Sequence, residues 1–228
     1  NEYCIMKRKI IIALSFFVLS FLQLDGQITQ IVLSHYVFPD FTDGYVSIGG
    51  GRTQQMRLNY NTVTEEMVFQ RGEQVLAIGD AEMNELEYVA ISGRKFVVKN
   101  GKFVEVLYEG KDLTIYAEHR STVVPPGNPA PYGGTSHVSA VDRYSGITGD
   151  GNMYYKLQLP DGYKVKPVMS YLAEKGGKIT RIFNIRQFRK VYSDKRDAFD
   201  KYIKENKVTF ESLSDITDMA HAMNTIQD

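Results

Sequence analysis

The sequence lacks the residues that carry several kinds of chemistry. It has one cysteine, Cys4, no tryptophan, and equal numbers of basic and acidic residues, 27 of each. Because Cys4 lies in a segment that we expect to be removed, the mature chain is predicted to have no disulfide, thiol nucleophile or thiolate metal site. The formal net charge of zero provides no overall field that would steer the protein toward nucleic acid or acidic substrates.

The apolar run near the N-terminus is short. Residues 10–22 (IIIALSFFVLSFL) directly follow Lys7, Arg8 and Lys9. Spanning a bilayer takes about 20 residues, and a basic stretch before a shorter apolar run is typical of a signal peptide. We therefore predict that residues 1–26 are an upstream extension plus signal peptide; a membrane anchor is the alternative. The mature chain is expected to be exported to the periplasm, the outer-membrane surface or the outside of the cell.

Residues 27–183 are predicted to form a β-rich domain. Between residues 53 and 119, short runs of alternating apolar residues are separated by Gly, Asn and Asp, a pattern typical of an antiparallel sheet. Asn100-Gly101 favours the type I′ turn of a hairpin, and residues 109–112 make the next connection. Residues 42–44 (Thr-Asp-Gly) are interpreted as an earlier turn between two short strands. A meander of this kind must cover its apolar face, so we expect a small barrel or sandwich.

Residues 121–152 interrupt this pattern. The segment contains four prolines and many Gly and Ser residues, with no sustained periodicity. We predict a flexible Pro/Gly loop there, because such a composition buries little apolar surface. Strand character returns at residues 153–159 and, after an Asp161-Gly162 turn, at residues 163–168.

Residues 184–228 are predicted to form two or three helices packed on the sheet. Apolar residues recur at helical spacing from Ile185 to Met223. Asp194 is the expected cap of the middle helix, and Ser212 with Asp215 has the spacing of a capping box before the last one. The overall prediction is a mainly β fold of the α+β class.

The basic residues are concentrated near the C-terminus. Residues 164–207 contain 13 Lys and Arg against 5 Asp and Glu, and helical spacing places Arg186, Arg189 and Lys190 away from the apolar face. We interpret these three residues as a possible contact for a polyanion such as lipid head groups or an anionic envelope polymer. The alternative is a solvated face that pairs with the acidic part of the chain.

The sequence identifies no catalytic, cofactor-binding or metal-binding residue. The four histidines do not have the spacing of a zinc protease, and the acidic pairs that a glycosidase would need are expected to be solvated turn residues. We predict no cofactor. The residues considered are His35, His119, His137, His221, Glu65, Glu66, Glu82, Glu85 and Glu87.

Five short motifs occur in the chain: LNYN at 58–61, TEEMVF at 64–69, FVEVL at 103–107, YGGTS at 132–136 and YIKENK at 202–207. Together they resemble a family of uncharacterised exported proteins of Gram-negative bacteria. The resemblance runs over roughly residues 43–224, and it implies export and a β-rich body with a helical tail, without an activity.

The sequence leads to two hypotheses of different kinds. The first is a non-enzymatic exported binding or structural module of the cell envelope, whose partner is an envelope protein or an anionic polymer or lipid. The second is a small-ligand-binding barrel or a hydrolase acting on an envelope polymer. A binding module predicts a filled core and an exposed basic or apolar patch, whereas an enzyme predicts a pocket with converging polar groups.

Overall fold

The protein is built around one antiparallel sheet of ten strands. The computed structural model describes residues 34–125, 128–129, 135–136, 155, 159 and 161–225. The strands of the large sheet are β1 (Thr42–Ile48), β2 (Arg52–Asn61), β3 (Glu66–Arg71), β4 (Gln74–Ala77), β5 (Leu86–Ile91), β6 (Arg94–Lys99), β7 (Lys102–Glu109), β8 (Leu113–Val124), β11 (Lys164–Lys175) and β12 (Lys178–Ile182). Two short strands, β9 (Asn128–Pro129) and β10 (Thr135–Ser136), pair separately, and the helices are α1 (Asp80–Glu85), α2 (Ile185–Val191), α3 (Arg196–Asn206) and α4 (Leu213–Thr225).

The strand order is β12-β11-β8-β7-β6-β5-β1-β2-β3-β4, and the sheet is not closed. Strands β1 to β4 form one meander, and the chain then returns through α1 to place β5 on the other side of β1. From β5 the meander continues to β8, and β11 joins β8 along its whole length. The predicted mainly β fold with three C-terminal helices is therefore confirmed.

The predicted hairpin at Asn100-Gly101 is confirmed. Both residues have positive φ, 52° and 71°, and Lys99 pairs directly with Lys102. This is the backbone of a two-residue type I′ turn, whose twist matches that of the flanking strands. The turns at Ser92-Gly93 and Gly176-Gly177 have positive φ at both residues as well.

The predicted turn at residues 42–44 is wrong, because these residues begin strand β1. Gly44 pairs with Met56 on one side and with Ile91 on the other. A Cβ atom at Gly44 would lie 2.6 Å from the carbonyl oxygen of Ala90. The glycine is required there by a close backbone approach inside the sheet and not by a turn.

One face of the sheet, the inner face, carries two hydrophobic clusters. Directly paired residues share a face, and the row Phe96, Glu105, Ala117 and Tyr171 defines it. Around the first six strands the sheet curls over a core that includes Leu58, Tyr60, Met67, Val89, Ile91 and Phe103. Over β8, β11 and β12 the same face is covered by the three C-terminal helices, through Phe188, Phe199, Ile216, Met219 and Met223.

The helix ends agree with the sequence in one case of two. The Ser212 hydroxyl accepts a hydrogen bond from the Asp215 N–H at 3.2 Å, so Ser212 caps α4 as predicted. The second bond of a capping box does not form, because the Asp215 carboxylate accepts from the Thr209 N–H at 2.8 Å and the Ser212 N–H donates to the Thr209 carbonyl. The predicted Asp194 cap is wrong: Lys195 occupies the N-cap position of α3 and makes no capping bond with its side chain. Among the described residues, no helix is long and apolar enough to cross a membrane.

The predicted loop begins later than expected. Strand β8 continues to Val124, so residues 121–124 belong to the sheet, where Ser121 pairs with Pro167. Pro167 is tolerated because β12 pairs only with residues 171–175 of β11, and among the described residues no neighbour on that side needs its missing N–H. Within the rest of the predicted loop, residues 128–129 and 135–136 form the paired strands β9 and β10. The other loop residues after residue 125, and most of the predicted strand at 153–159, lie outside the described residues.

Candidate binding surfaces

The three residues of the predicted polyanion contact lie on α2. Arg186, Arg189 and Lys190 are exposed, while Phe188 between them is buried in the core. Asn184 fixes the start of this helix by accepting a hydrogen bond from the Gln187 N–H at 3.1 Å. The helical spacing seen in the sequence therefore places the three cations at the surface.

Arg189 is not a free cation. Its guanidinium group donates to both carboxylate oxygens of Asp200 on α3, with Nη2 to Oδ2 at 2.7 Å and Nε to Oδ1 at 2.8 Å. The hydrogen bonds from Arg189 hold the pKa of the Asp200 carboxyl below its usual range. Of the three predicted residues, only Arg186 and Lys190 form no ion pair within the described part of the chain.

Strand β12 and its hairpin extend this positive surface. Lys175 and Lys178 flank the Gly176-Gly177 turn, and both are exposed without an acidic partner among the described residues. Arg181 is half exposed and donates to Glu118 Oε1 at 2.6 Å. We call Lys175, Lys178, Arg181, Arg186 and Lys190 the basic edge.

An exposed aromatic residue accompanies the basic edge. Phe183, which directly follows β12, has 57% of its surface exposed. Its N–H donates to the side chain of Gln187 at 2.6 Å, so its backbone is fixed while its ring remains in solvent. Local sequence patterns place Lys175 and Lys178 in the basic segment 164–207 but do not single them out, or Phe183, because which strand forms the edge of a sheet depends on topology.

The opposite face of the sheet, the outer face, has a shallow groove with a volume of about 330 Å³. Val97, Val106 and Tyr116 form its apolar part, and Tyr88, Lys95 and Lys99 also line it. Lys99 Nζ reaches Glu174 Oε2 at 2.8 Å, and the Tyr116 hydroxyl donates to the same carboxylate oxygen at 2.7 Å.

These contacts shift the titration of the groove residues. The hydrogen bond from Lys99 lowers the pKa of the Glu174 carboxyl, and the same bond raises the pKa of the lysine. Burial raises the pKa of the Tyr116 hydroxyl. Lys95 is paired with Glu109 at 2.9 Å. The charged groups of the groove therefore compensate one another.

An ionic cluster lies on the inner face, between the two hydrophobic clusters. Arg94 donates to Glu105 through Nε at 2.6 Å and through Nη2 at 2.5 Å. His119 Nε2 lies 2.6 Å from Glu105 Oε2. The side chains of Glu105 and His119 are only 7% and 9% exposed. Burial opposes ionisation of Glu105, yet the hydrogen bonds from Arg94 and His119 hold its pKa below its usual range.

Sequence reasoning missed this cluster because its members lie on three strands. One signal was present: Glu105 alternates with Phe103 and Leu107, which places a carboxylate on the apolar face of β7. The rings of Tyr60 and Phe96 pack beside His119, and the Arg94 guanidinium lies 5.1 Å from the centre of the Phe38 ring. Because both oxygens of Glu105 are occupied by Arg94 and His119, the arrangement is suited to holding the interior together.

The other residues considered from the sequence do not converge. Within the described residues, no group of three or more His, Cys, Asp or Glu side chains could hold a metal ion. His35 and His119 are buried, and His221 packs edge-on against Tyr108 with ring centres 5.0 Å apart. His137 lies outside the described residues.

The acidic pairs divide into two kinds. Glu82, Glu85 and Glu87 are exposed as predicted, but they do not lie in turns. Glu82 and Glu85 belong to α1, and Glu87, on β5, accepts a hydrogen bond from the Ser47 hydroxyl at 2.9 Å. Glu65 and Glu66 differ from the prediction because they are half buried and bonded: Glu65 pairs with Lys102 at 2.6 Å and with Arg120 at 3.1 Å, and Glu66 accepts from the Tyr155 hydroxyl at 2.8 Å. Glu65 thereby connects the β2-β3 turn to β7 and β8.

Comparison of the chain with protein-family models, with curated proteins and with solved structures finds no match in any of the three.

Proposed function

We propose that this protein is an exported, non-enzymatic binding module of the cell envelope, which contacts an anionic partner through the basic edge. The observation that carries the proposal is the uncompensated charge of that surface. Lys175 and Lys178, at the start of β12, and Arg186 and Lys190, on α2, are exposed without ion pairs among the described residues. The exposed Phe183 lies in the chain between β12 and α2. On strands β6 and β7, by contrast, Lys95, Lys99 and Lys102 have acidic partners.

Uncompensated cations next to an exposed apolar side chain are suited to recognition. Each Lys or Arg near an anionic surface contributes about 1 kcal/mol at physiological ionic strength, and an aromatic ring adds apolar contact area. The signal peptide predicted at residues 1–26 would bring the protein to a compartment rich in anionic lipids, polysaccharides and acidic proteins.

Charge reversal on α2 tests the proposal. We expect Arg186→Glu/Lys190→Glu to weaken binding to phosphatidylglycerol vesicles or lipopolysaccharide by at least about tenfold at low salt, less at moderate salt. The matched control is Lys201→Glu/Lys204→Glu, which reverses two exposed charges on α3. If wild type and both variants bind equally at low and moderate salt, the basic edge is not the binding surface.

The groove on the outer face favours a second candidate function, the binding of a small ligand. Its volume is in the lower range of ligand sites. Val97→Trp, which fills the groove, distinguishes the two candidates. Binding through the basic edge should be unchanged in this variant, and binding of a small ligand in the groove should be lost.

A further inference from the structure

The outer side of strand β12 is a free edge of the sheet within the described part of the chain. The two-residue turn at Gly176-Gly177 makes Lys175 and Lys178 a hydrogen-bonded pair, so the backbone groups of Lys178, Thr180 and Ile182 point toward β11. By alternation, the N–H and C=O groups of Ile179 and Arg181 point away from the sheet. No backbone hydrogen bond joins them to another described segment.

The next residue in this alternation confirms the direction. The Phe183 N–H also points outward, and it is the group that donates to Gln187 Oε1. The free edge therefore ends at Phe183 and offers the two donors and two acceptors of Ile179 and Arg181. This is enough for a short added strand, whose main-chain hydrogen bonds would provide affinity.

The side chains along this edge select the chemistry of an incoming strand. On the outer face, Ile179 is half buried against the cluster of Val104, Tyr116 and Leu172, and Phe183 is exposed. Basic side chains lie at the start of β12 and in the helix that follows it, with no acidic residue between Lys175 and Arg189. A segment with acidic residues and alternating apolar residues would complement both features.

The same charges disfavour a second copy of this chain. Two β12 edges brought together would bring the Lys178 and Arg181 side chains of one copy near the cations of the other, and lysines on edge strands oppose such self-association. An acidic strand would be attracted by these cations, whereas a second copy of the chain would be repelled by them.

We propose that the β12 edge binds an extended acidic peptide segment of another protein by β-strand addition. The proposal rests on the function proposed above, since it names the partner class for the basic edge. The partner contributes backbone groups to Ile179 and Arg181, carboxylates to Lys175 and Lys178, and an apolar side chain to Phe183.

The test uses a fluorescent peptide of about eight alternating Glu and Val residues. We expect saturable binding to the wild-type protein by fluorescence anisotropy, and binding weakened about tenfold in Lys175→Glu/Lys178→Glu. Lys201→Glu/Lys204→Glu serves as the charge control and should bind as the wild type does.

The decisive probe is the same peptide with alternate backbone amides N-methylated, because it retains every charge and removes the hydrogen-bond donors. It requires no change in the protein, so misfolding cannot imitate the result. Strand addition predicts loss of binding for one of the two methylation registers. Equal binding of both methylated peptides and the parent would overturn strand addition while leaving anion binding by the basic edge intact. If the parent peptide does not bind while vesicle binding is retained, the peptide proposal is wrong and the partner of the basic edge is a lipid.

Discussion

At the scale of the residue, Glu105 is a buried carboxylate whose two partners, Arg94 and His119, lie on the neighbouring strands. A buried carboxylate is costly to desolvate, and it is tolerated only when its partners are close and well oriented. Arg94 supplies a bidentate partner and His119 a second one. Because the three side chains join the two hydrophobic clusters, their pairing also fixes the register of β6, β7 and β8.

Removing the charge of Glu105 should therefore be costly. We expect Glu105→Gln to lower the free energy of unfolding by about 2 to 4 kcal/mol, since it leaves Arg94 and His119 without their anion. Glu109→Gln on the same strand is the matched control: its pair with Lys95 is exposed, and the expected loss is under about 1 kcal/mol. Urea unfolding of the three proteins measures both values, and equal losses would contradict a special role for Glu105.

The stability of the same variant should also depend less on pH than that of the wild type. The pKa of Glu105 is lowered from its ordinary value of 4.5, so its ionisation stabilises the folded state above the unfolded-state pKa. That stability is lost as pH falls through the folded-state pKa. Between about pH 6 and about pH 3, the wild type should lose more stability than Glu105→Gln, and the gap between them should narrow. A constant gap would show that the pKa of Glu105 is the same in the folded and unfolded states, and a widening gap would show that folding raises it.

At the scale of the element, the described hairpin turns restrict the backbone to positive φ angles, which few residues adopt. The turn at Asn100-Gly101 has positive φ at both residues, a conformation that a side chain with a Cβ atom strains. Not every glycine near a turn has this role. Gly49, before the turn that joins β1 and β2, is not among the positive-φ residues, and a Cβ there would lie 3.7 Å from the Glu85 carbonyl oxygen.

These two glycines give a matched pair of substitutions. We expect Gly101→Ala to lower the free energy of unfolding by about 1 to 2 kcal/mol, because alanine must adopt a left-handed conformation. Gly49→Ala should change stability by less than about 0.5 kcal/mol, since 3.7 Å is ordinary contact. Chemical unfolding midpoints decide the matter, and similar effects at both sites would mean that the turn relaxes to another type.

Local sequence patterns predicted an element correctly where the pattern has only one common structural use. Asn-Gly has one common use in a hairpin, and the apolar spacing of the C-terminal helices has one common use in packing, so both predictions are confirmed. Gly44 was misread because glycine serves turns and close backbone approaches alike, and only the neighbour Ala90 distinguishes them. Ser92-Gly93 was missed because serine is a rarer residue at positive φ.

The candidate site was predicted only in part, for a related reason. Helical spacing correctly placed Arg186, Arg189 and Lys190 on the exposed side of α2. It could not show that Asp200 neutralises Arg189, because that contact depends on how α3 packs against α2. The free edge of β12 depends on the order of all ten strands, which no local pattern contains.

At the scale of the whole molecule, the inner face of the sheet carries two hydrophobic clusters, and each is shielded from solvent in a different way. The first six strands cover their own apolar face by curling. The Ser121 N–H donates to the Thr62 carbonyl at 2.8 Å and stabilises this curl. Glu65 also stabilises it by pairing with both Lys102 and Arg120. The last strands are covered by helices, and the Tyr171 hydroxyl donates to the Phe210 carbonyl at 2.7 Å. Strands β7 and β8 run through both parts, so neither cluster should unfold independently.

A single substitution in the C-terminal helices should therefore lower the stability of the whole sheet. Phe188→Leu trims a fully buried ring, and we expect it to lower the free energy of unfolding by about 1 to 2 kcal/mol. In native-state hydrogen exchange, the slowest amides of β2 should lose as much protection as those of β8, because both report the same global unfolding. Phe183→Leu, five residues away and exposed, is the control and should leave both strands unchanged within about 0.5 kcal/mol. A loss of protection confined to β8, β11 and β12 would show instead that the helix-covered part opens alone, with the curled strands remaining folded.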